Sequence, residues 1–178
     1  MSNESYEIDM VSIRLVKDRS LFSNEPIDSS AAAIKILGEE LKTYDRELIA
    51  IVNLQTDGKP ININIVSIGT INASLIAPRE VFKSSILSNA AQIILLHNHP
   101  TGNCKPSNND IKVTKKIKDC CELLGIKFLD HIIIGDKENF SFRENDMVLN
   151  NFTSNHVNES YLKDFTNNCF DFQAEFEL

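Results

Sequence analysis

The chain has 178 residues, 42% of them hydrophobic, and four cysteines without a CxxC pair, which predicts one soluble cytoplasmic domain with a sizeable core and no disulfides. No run of about 18 apolar residues occurs, and residues 1–7 lack the basic and apolar regions of a signal peptide, so neither a membrane span nor secretion is expected. The formal net charge of −7 argues against a broad nucleic-acid-binding surface, because such affinity comes largely from Lys and Arg neutralising phosphates.

The first quarter of the sequence predicts a strand and then a helix. Apolar and polar residues alternate over residues 11–15, as in a short strand at a sheet edge. Residues 28–30 can cap a helix that ends near residues 42–44. The apolar residues of that helix recur at helical spacing: Ala33, Ile34, Leu37 and Leu41.

A hairpin is predicted next. Residues 47–54 form a nearly continuous apolar run, which is typical of a strand in the middle of a sheet covered on both faces. Asp57 and Gly58 give a turn signal, and Ile alternates with Asn over residues 60–66. This alternation indicates a second strand with one wet face.

A second helix and a buried strand follow the hairpin. Proline is favoured at the first helical position and an acidic residue in the first turn, so Pro78 and Glu80 indicate a helix that ends around Asn89. The apolar run at residues 92–96 then predicts a buried strand.

The last predicted elements are a helix and two strands. Ser107 and Asp110 have a spacing close to that of a capping box and open a helix that continues to about Leu124. The patterns at residues 126–134 and 140–142 predict strands. The order β-α-β-β-α-β-α-β-β predicts an α/β fold, in which a mixed β-sheet is flanked by helices.

Two histidines and an aspartate around the end of the 92–96 strand form a candidate metal site. Residues i and i+2 of an extended segment share a face, so His97 and His99 should point the same way. A loop rich in Pro, Gly and Asn then brings Asp110 back towards them. Two imidazoles and one carboxylate suit Zn²⁺ and leave a fourth position for water, which is the catalytic arrangement of zinc.

The pattern around this motif resembles that of the JAMM/MPN zinc metalloproteases, and most closely their RadC-like branch. The resemblance covers roughly residues 8–148. It depends on short motifs along the chain: Pro78-Arg79-Glu80, Asn89-Ala90-Ala91, His97-Asn98-His99-Pro100, Pro106-Ser107, Asp110 and Leu129-Asp130-His131. The resemblance implies the single-domain α/β fold of that superfamily, which is cytidine-deaminase-like.

The resemblance also implies a role for each residue of the motif. His97, His99 and Asp110 become the ligands of one zinc ion. Ser107 becomes the residue that helps to stabilise the tetrahedral oxyanion. Glu47, at the start of the early buried strand, becomes the general acid/base.

Two of these catalytic assignments have alternatives. Glu80 also fits the branch pattern and is the rival of Glu47, but it can equally be a favourable charge at a helix N-terminus. Glu47 can be a solvated carboxylate at a strand end. Ser107 can be the N-cap of the following helix and nothing more.

Three further residues near the motif have structural interpretations. A lone histidine within a strand is more often a satisfied core residue than a ligand, so His131 is assigned to the core. His131 or Asp130 could still support a ligand from outside the metal's own coordination shell. Cys104 lies in the metal loop and is interpreted as an inert thiol.

Three regions are predicted: an N-terminal arm with an edge strand (1–27), a RadC-like metal-binding domain (28–148) and a polar, Asn-rich tail (149–178) that forms a short helix or is disordered. We expect a short form without the helix-hairpin-helix segment that longer relatives carry before the domain. The motif gives no oligomeric state.

The predicted function is a zinc-dependent hydrolase, in which metal-activated water attacks the carbonyl of a peptide or isopeptide bond in a peptide or protein substrate. One alternative is a DNA-repair-associated protein that acts on or near DNA, as the RadC name suggests, although the net charge does not support it. The other alternative is a metal-stabilised interaction module without turnover.

Overall fold

The computed structural model describes residues 8–24, 30–69, 76–145 and 147. These residues form three helices and five strands. In chain order they are α1 (Ser30–Lys42), β1 (Leu48–Leu54), β2 (Pro60–Ile68), α2 (Pro78–Leu87), β3 (Gln92–Asn98), α3 (Asn108–Leu124), β4 (Lys127–Ile134) and β5 (Asn139–Ser141).

The five strands form one mixed sheet in the order β2-β1-β3-β4-β5. Strand β3 pairs parallel with β4, and the other three strand pairs are antiparallel. The predicted α/β fold with a mixed sheet is therefore confirmed. The parallel pair needs a crossover, and α3 supplies it.

The two central strands are buried on both faces, as their continuous apolar sequences require. Every residue of β1 and β3 is buried. Helix α1 covers one face of the sheet through Leu37, which packs in a cluster with Ala50 and Leu96. Helices α2 and α3 cover the other face, where Phe82 and Ile117 share a cluster with the remaining β1 and β3 side chains.

The predicted hairpin is confirmed, and its second strand is longer than expected. The backbone N–H of Gln55 donates to the carbonyl oxygen of Lys59 at 2.8 Å, and Gly58 has a φ of 88°. This backbone conformation favours glycine because a Cβ atom would crowd the following carbonyl oxygen.

The predicted strand at residues 11–15 does not form, and this expectation is wrong. Val11 and Ile13 are 78% and 74% exposed, and residues 8–23 have no regular secondary structure. Alternation alone does not make a strand, because a strand needs a partner for its backbone hydrogen bonds. The helix predicted after it is confirmed as α1, whereas the capping residues Asp28 and Ser29 and the tail at 149–178 lie outside the described residues.

The end of β3 also differs from the sequence prediction. The strand continues through His97 and Asn98, so His97 lies inside the sheet and does not follow it. Within the described residues, no helix has the length and apolar character needed to cross a membrane.

Candidate metal centre

The end of β3 fixes the two histidines of the motif. His97 is fully buried and lies between Ile49 of β1 and Ile133 of β4 in the sheet register. The backbone N–H of His99 donates to the carbonyl oxygen of Ile134 at 3.1 Å, which continues the pairing one residue beyond the strand. His97 and His99 therefore point to the same face of the sheet, as predicted.

The first turn of α3 fixes the aspartate. Ser107 is the N-cap residue, and its Oγ accepts a hydrogen bond from the Asp110 N–H at 3.2 Å. The Ser107 N–H donates to Asp110 Oδ2 at 2.6 Å. This reciprocal capping box holds the carboxylate at the helix start and confirms the predicted helix boundary.

The three side chains come together around one point. The Nε2 atoms of His97 and His99 are 2.9 Å apart. Asp110 Oδ1 lies 3.3 Å from His97 Nε2, and its Oδ2 lies 3.5 Å from His99 Nε2. A tetrahedral zinc ion with bonds of about 2.1 Å separates its ligand atoms by about 3.4 Å. The group can therefore hold a metal ion of this size.

Each of the two imidazoles directs its Nε2 atom to the site. Burial lowers the pKa of His97 to about 4, although the charge of Asp110 opposes this shift, so His97 is neutral at neutral pH. The Nδ1 atom of His99 lies 2.6 Å from the carbonyl oxygen of Asn103. Because a carbonyl oxygen can only accept, Nδ1 of His99 carries a hydrogen, so Nε2 is the ring atom that faces the site and that must be free of its proton when a metal binds.

The Asp110 carboxylate is ionised in this environment. Burial by itself would raise its pKa, but hydrogen bonds with His99 and Ser107 and the charge of His97 outweigh burial and lower the pKa far below the ordinary value. The pKa of His99 is raised, mainly by its hydrogen bond with Asp110. The carboxylate is therefore a negatively charged ligand across the working pH range.

Glu47 lies on the same face as the histidines. Ile49 pairs with His97 across β1 and β3, and Glu47 precedes Ile49 by two residues, so it continues the same register towards His99. Glu47 is half-buried, and its charge also contributes to the raised pKa of His99, after the larger effect of Asp110.

Glu80 lies in a different environment. Its carboxylate contacts Lys83 Nζ at 2.5 Å and Arg79 Nε at 3.4 Å in the first turn of α2. The hydrogen bond with Lys83 is the main reason that the pKa of Glu80 is lowered. These ion pairs match the interpretation of Glu80 as a favourable charge at a helix start.

His131 is a satisfied core residue, as predicted, and it touches a metal-site histidine. Its side chain is buried in β4, and its Nε2 lies 2.8 Å from His97 Nδ1. Asp130 instead accepts hydrogen bonds from Ser141 Oγ at 2.5 Å and from the Arg143 N–H at 2.9 Å. Cys104, within the metal loop, is buried and packs into the core.

Two residues that form hydrogen bonds with residues in or next to the site are not identified by the sequence analysis. Thr114 contacts His131, and its hydroxyl donates to the Asp110 carbonyl oxygen. A signal for Thr114 existed, because it follows Asp110 by four residues and so lies one helical turn along the same face. Asn98 binds the backbone on either side of Glu47, and its position between the two histidines gave no sign of this.

These features define an α/β domain of the JAB, or MPN, class, in which a mixed sheet and the start of one helix converge on a candidate metal site. The RadC-like JAB domain family matches residues 27–147, and the chain belongs to this family.

Relatives of this chain are longer than the region in which they match it. A UPF0758 protein of Clostridium acetobutylicum is 41% identical over 127 residues, which cover 71% of this chain and 56% of that protein. A UPF0758 protein of Caldanaerobacter subterraneus is 43% identical over 121 residues, which cover 68% of this chain and 52% of that protein. The chain thus spans about half the length of the curated relatives it matches.

Proposed function

We propose that the domain is a zinc-dependent hydrolase of the JAMM type, which cleaves a peptide or isopeptide bond in a peptide or protein substrate. The observation that carries the proposal is the convergence of one ligand atom each from His97, His99 and Asp110 within 4.8 Å of one another. Glu47 supports it, because a half-buried carboxylate on the same face of the sheet can exchange protons next to the site.

The chemistry divides between the ion and the residues of the chain. When bound, zinc lowers the pKa of a coordinated water to roughly 7 and polarises a carbonyl oxygen. A carboxylate oxygen of Glu47 accepts the proton that the attacking water gives up and then delivers it to the leaving amine. Protonation of the amine allows the carbon–nitrogen bond to break.

Ser107 is suited to stabilise the charge on the substrate oxygen. Its Oγ accepts a hydrogen bond from the Asp110 N–H, so its own hydroxyl hydrogen remains available for donation. Ser107 is exposed, so a substrate carbonyl can approach it. A donor aimed at the developing oxyanion accelerates acyl transfer.

The test is cleavage of a panel of peptides and isopeptide-linked conjugates by the zinc-loaded protein, with mass spectrometry of the products. We expect cleavage that a chelator stops and added zinc restores. His97→Ala with His99→Ala should abolish it, and Glu47→Gln should abolish it without loss of bound zinc. Glu80→Gln is the matched control and should retain the activity.

The alternative outcomes separate the other functions. Cleavage that survives in the double histidine variant or in Glu47→Gln would contradict the mechanism. Zinc binding without cleavage of any substrate in the panel would favour an interaction module stabilised by metal. Salt-dependent binding to DNA, with no peptide cleavage, would favour the DNA-associated alternative.

A further inference from the structure

A chain of hydrogen bonds connects two of the metal-site residues through the interior of the domain. Thr114 on α3 is 2% exposed and His131 on β4 is 1% exposed. Thr114 Oγ1 lies 2.6 Å from the Asp110 carbonyl oxygen and 2.6 Å from His131 Nδ1. On its other side, His131 Nε2 lies 2.8 Å from His97 Nδ1. The series of hydrogen bonds therefore runs from the backbone of Asp110 to the ring of His97.

The direction of each hydrogen bond follows from the first one. A carbonyl oxygen only accepts, so the single hydroxyl hydrogen of Thr114 is donated to Asp110. Thr114 must then accept from His131, which places the hydrogen of that ring on Nδ1. His131 is 1% exposed, and its ring nitrogens contact only a hydroxyl and another imidazole, so a charge on the ring would be buried without an opposite charge in contact; the ring is therefore neutral and its Nε2 carries a lone pair. That lone pair can only accept from Nδ1–H of His97.

We infer that His131 and Thr114 are positioning residues of the metal site, which hold His97 in the tautomer that leaves its Nε2 free to bind a metal. The inference depends on the metal site of the proposed function and not on hydrolysis. His99 is held in the same tautomer by a single carbonyl oxygen, that of Asn103. His97 lies too deep for a loop carbonyl, and the buried Thr114–His131 pair takes that role.

The packing around His131 keeps these hydrogen bonds aligned. Its ring stacks on Phe142, with a centroid separation of 4.8 Å and an angle of 6° between the planes. This contact fixes the plane of the ring, so both of its nitrogens stay in line with their partners. Partners outside the coordination shell orient ligand histidines in this way and fix the tautomer that the metal requires.

Loss of the Thr114 hydroxyl has a specific consequence for His97. In Thr114→Val, His131 Nδ1–H has no acceptor, and the neutral ring avoids a buried, unpaired N–H if its hydrogen moves to Nε2. Nε2–H of His131 then donates to Nδ1 of His97, and the hydrogen of His97 must lie on its own Nε2. The atom that should bind the metal is then protonated, although no charge has changed.

The first experiment measures zinc affinity by competition with a chelator. We expect Thr114→Val to weaken zinc binding by about 10- to 100-fold, whereas Thr114→Ser, which keeps the hydroxyl, should bind like the unaltered protein. Thr43→Val is the matched control, because the Thr43 hydroxyl also donates to a backbone carbonyl, that of Glu40 at 2.8 Å, at the end of α1. His131→Phe keeps the stacking on Phe142 and should also weaken binding.

The second experiment reads the tautomers in the metal-free protein from the ¹⁵N chemical shifts of the histidine rings. We expect His97 and His131 to carry their hydrogens on Nδ1, and Thr114→Val to move the hydrogen of His97 to Nε2. A hydrogen on Nε2 of His97 in the unaltered protein would overturn the inference, as would unchanged zinc affinity in Thr114→Val. If the protein cleaves nothing but both expectations hold, the proposed hydrolase activity fails and this inference stands.

Discussion

The Oδ1 atom of Asn98, at the end of β3, accepts a hydrogen bond of 2.7 Å from the backbone N–H of Leu48, at the start of β1. The two residues are 50 positions apart in the sequence. The Nδ2 atom of the same side chain donates to the carbonyl oxygen of Arg46 at 3.1 Å. Glu47 lies between Arg46 and Leu48. One side chain from the strand that carries His97 thus fixes the backbone on both sides of the proposed general base.

Asn98→Ala should destabilise the domain. Asn98 is 2% exposed, and its removal leaves the buried N–H of Leu48 without a partner, which costs about 1–3 kcal/mol. Urea unfolding followed by circular dichroism measures the loss. Gln55→Ala, which alters an exposed side chain next to the hairpin turn, should change the free energy of unfolding by less than about 0.5 kcal/mol. Equal losses in the two variants would contradict the role of Asn98.

Substitutions of Ser107 should separate its capping role from its proposed catalytic role. Ser107→Ala removes the acceptor of the Asp110 N–H and should lower the free energy of unfolding by about 1 kcal/mol. Ser107→Asp keeps an N-cap acceptor and should retain nearly all of the stability, but its carboxylate has no hydrogen to donate. If Ser107 assists hydrolysis, both variants lose activity, whereas full activity in Ser107→Asp would show that the residue acts only as a helix cap.

Gly102→Ala should disturb the metal loop more than an ordinary substitution of a turn glycine. Gly102 has a φ of +76°, and a Cβ atom there would overlap the carboxylate of Asp136. Its N–H also donates to the carbonyl oxygen of His99 at 2.8 Å. We expect a loss of stability and weaker zinc binding, measured by thermal unfolding and by chelator competition.

Gly58→Ala supplies the comparison for this prediction. Gly58 also has a positive φ, of +88°, but nothing lies within 4 Å of the added Cβ atom. Gly58→Ala should therefore lower the free energy of unfolding only by the conformational strain of about 1–2 kcal/mol, and it should leave the zinc affinity unchanged. A smaller loss of stability in Gly102→Ala than in Gly58→Ala would show that Asp136 moves aside at no cost.

Cys121 should resist alkylation in the folded protein. Burial raises the pKa of its thiol to about 12, so it remains protonated at about pH 8, and its reactive thiolate fraction grows about tenfold with each unit of rising pH. Mass spectrometry after iodoacetamide treatment should show that Cys120, which is only half-buried, is modified before Cys121. Unfolding in urea should remove the difference, and equal rates in the folded state would contradict the prediction.

The sequence predicts most of the fold because most of its elements carry their own signals. The continuous apolar run of β1 and the helical spacing of apolar residues in α3 match their burial, and Ser107 and Gly125 mark the ends of α3. Residues 11–15 show the limit of this reasoning. Their alternation is as regular as that of β2, but strand formation depends on a neighbouring edge, which no local pattern encodes.

Part of the candidate site can likewise be predicted from the sequence, and part of it cannot. The spacing of His97, His99 and Asp110 along the chain by itself predicts a shared metal. The residues that support them make contacts that are distant in the sequence. Thr114 meets His131 across 17 positions, and His131 meets His97 across 34. Such contacts are products of the tertiary fold, so composition and periodicity do not report them.

All three proposed ligands lie within residues 97–110, and this local arrangement affects how zinc would act on folding. A short peptide with two imidazoles and a carboxylate chelates zinc even when it is unfolded, so the ion would bind both the native and the denatured chain. The stability gained from zinc then reflects only the ratio of the two affinities. The fold contributes to this stability only through the difference in zinc affinity between a rigid site and a flexible chelating peptide.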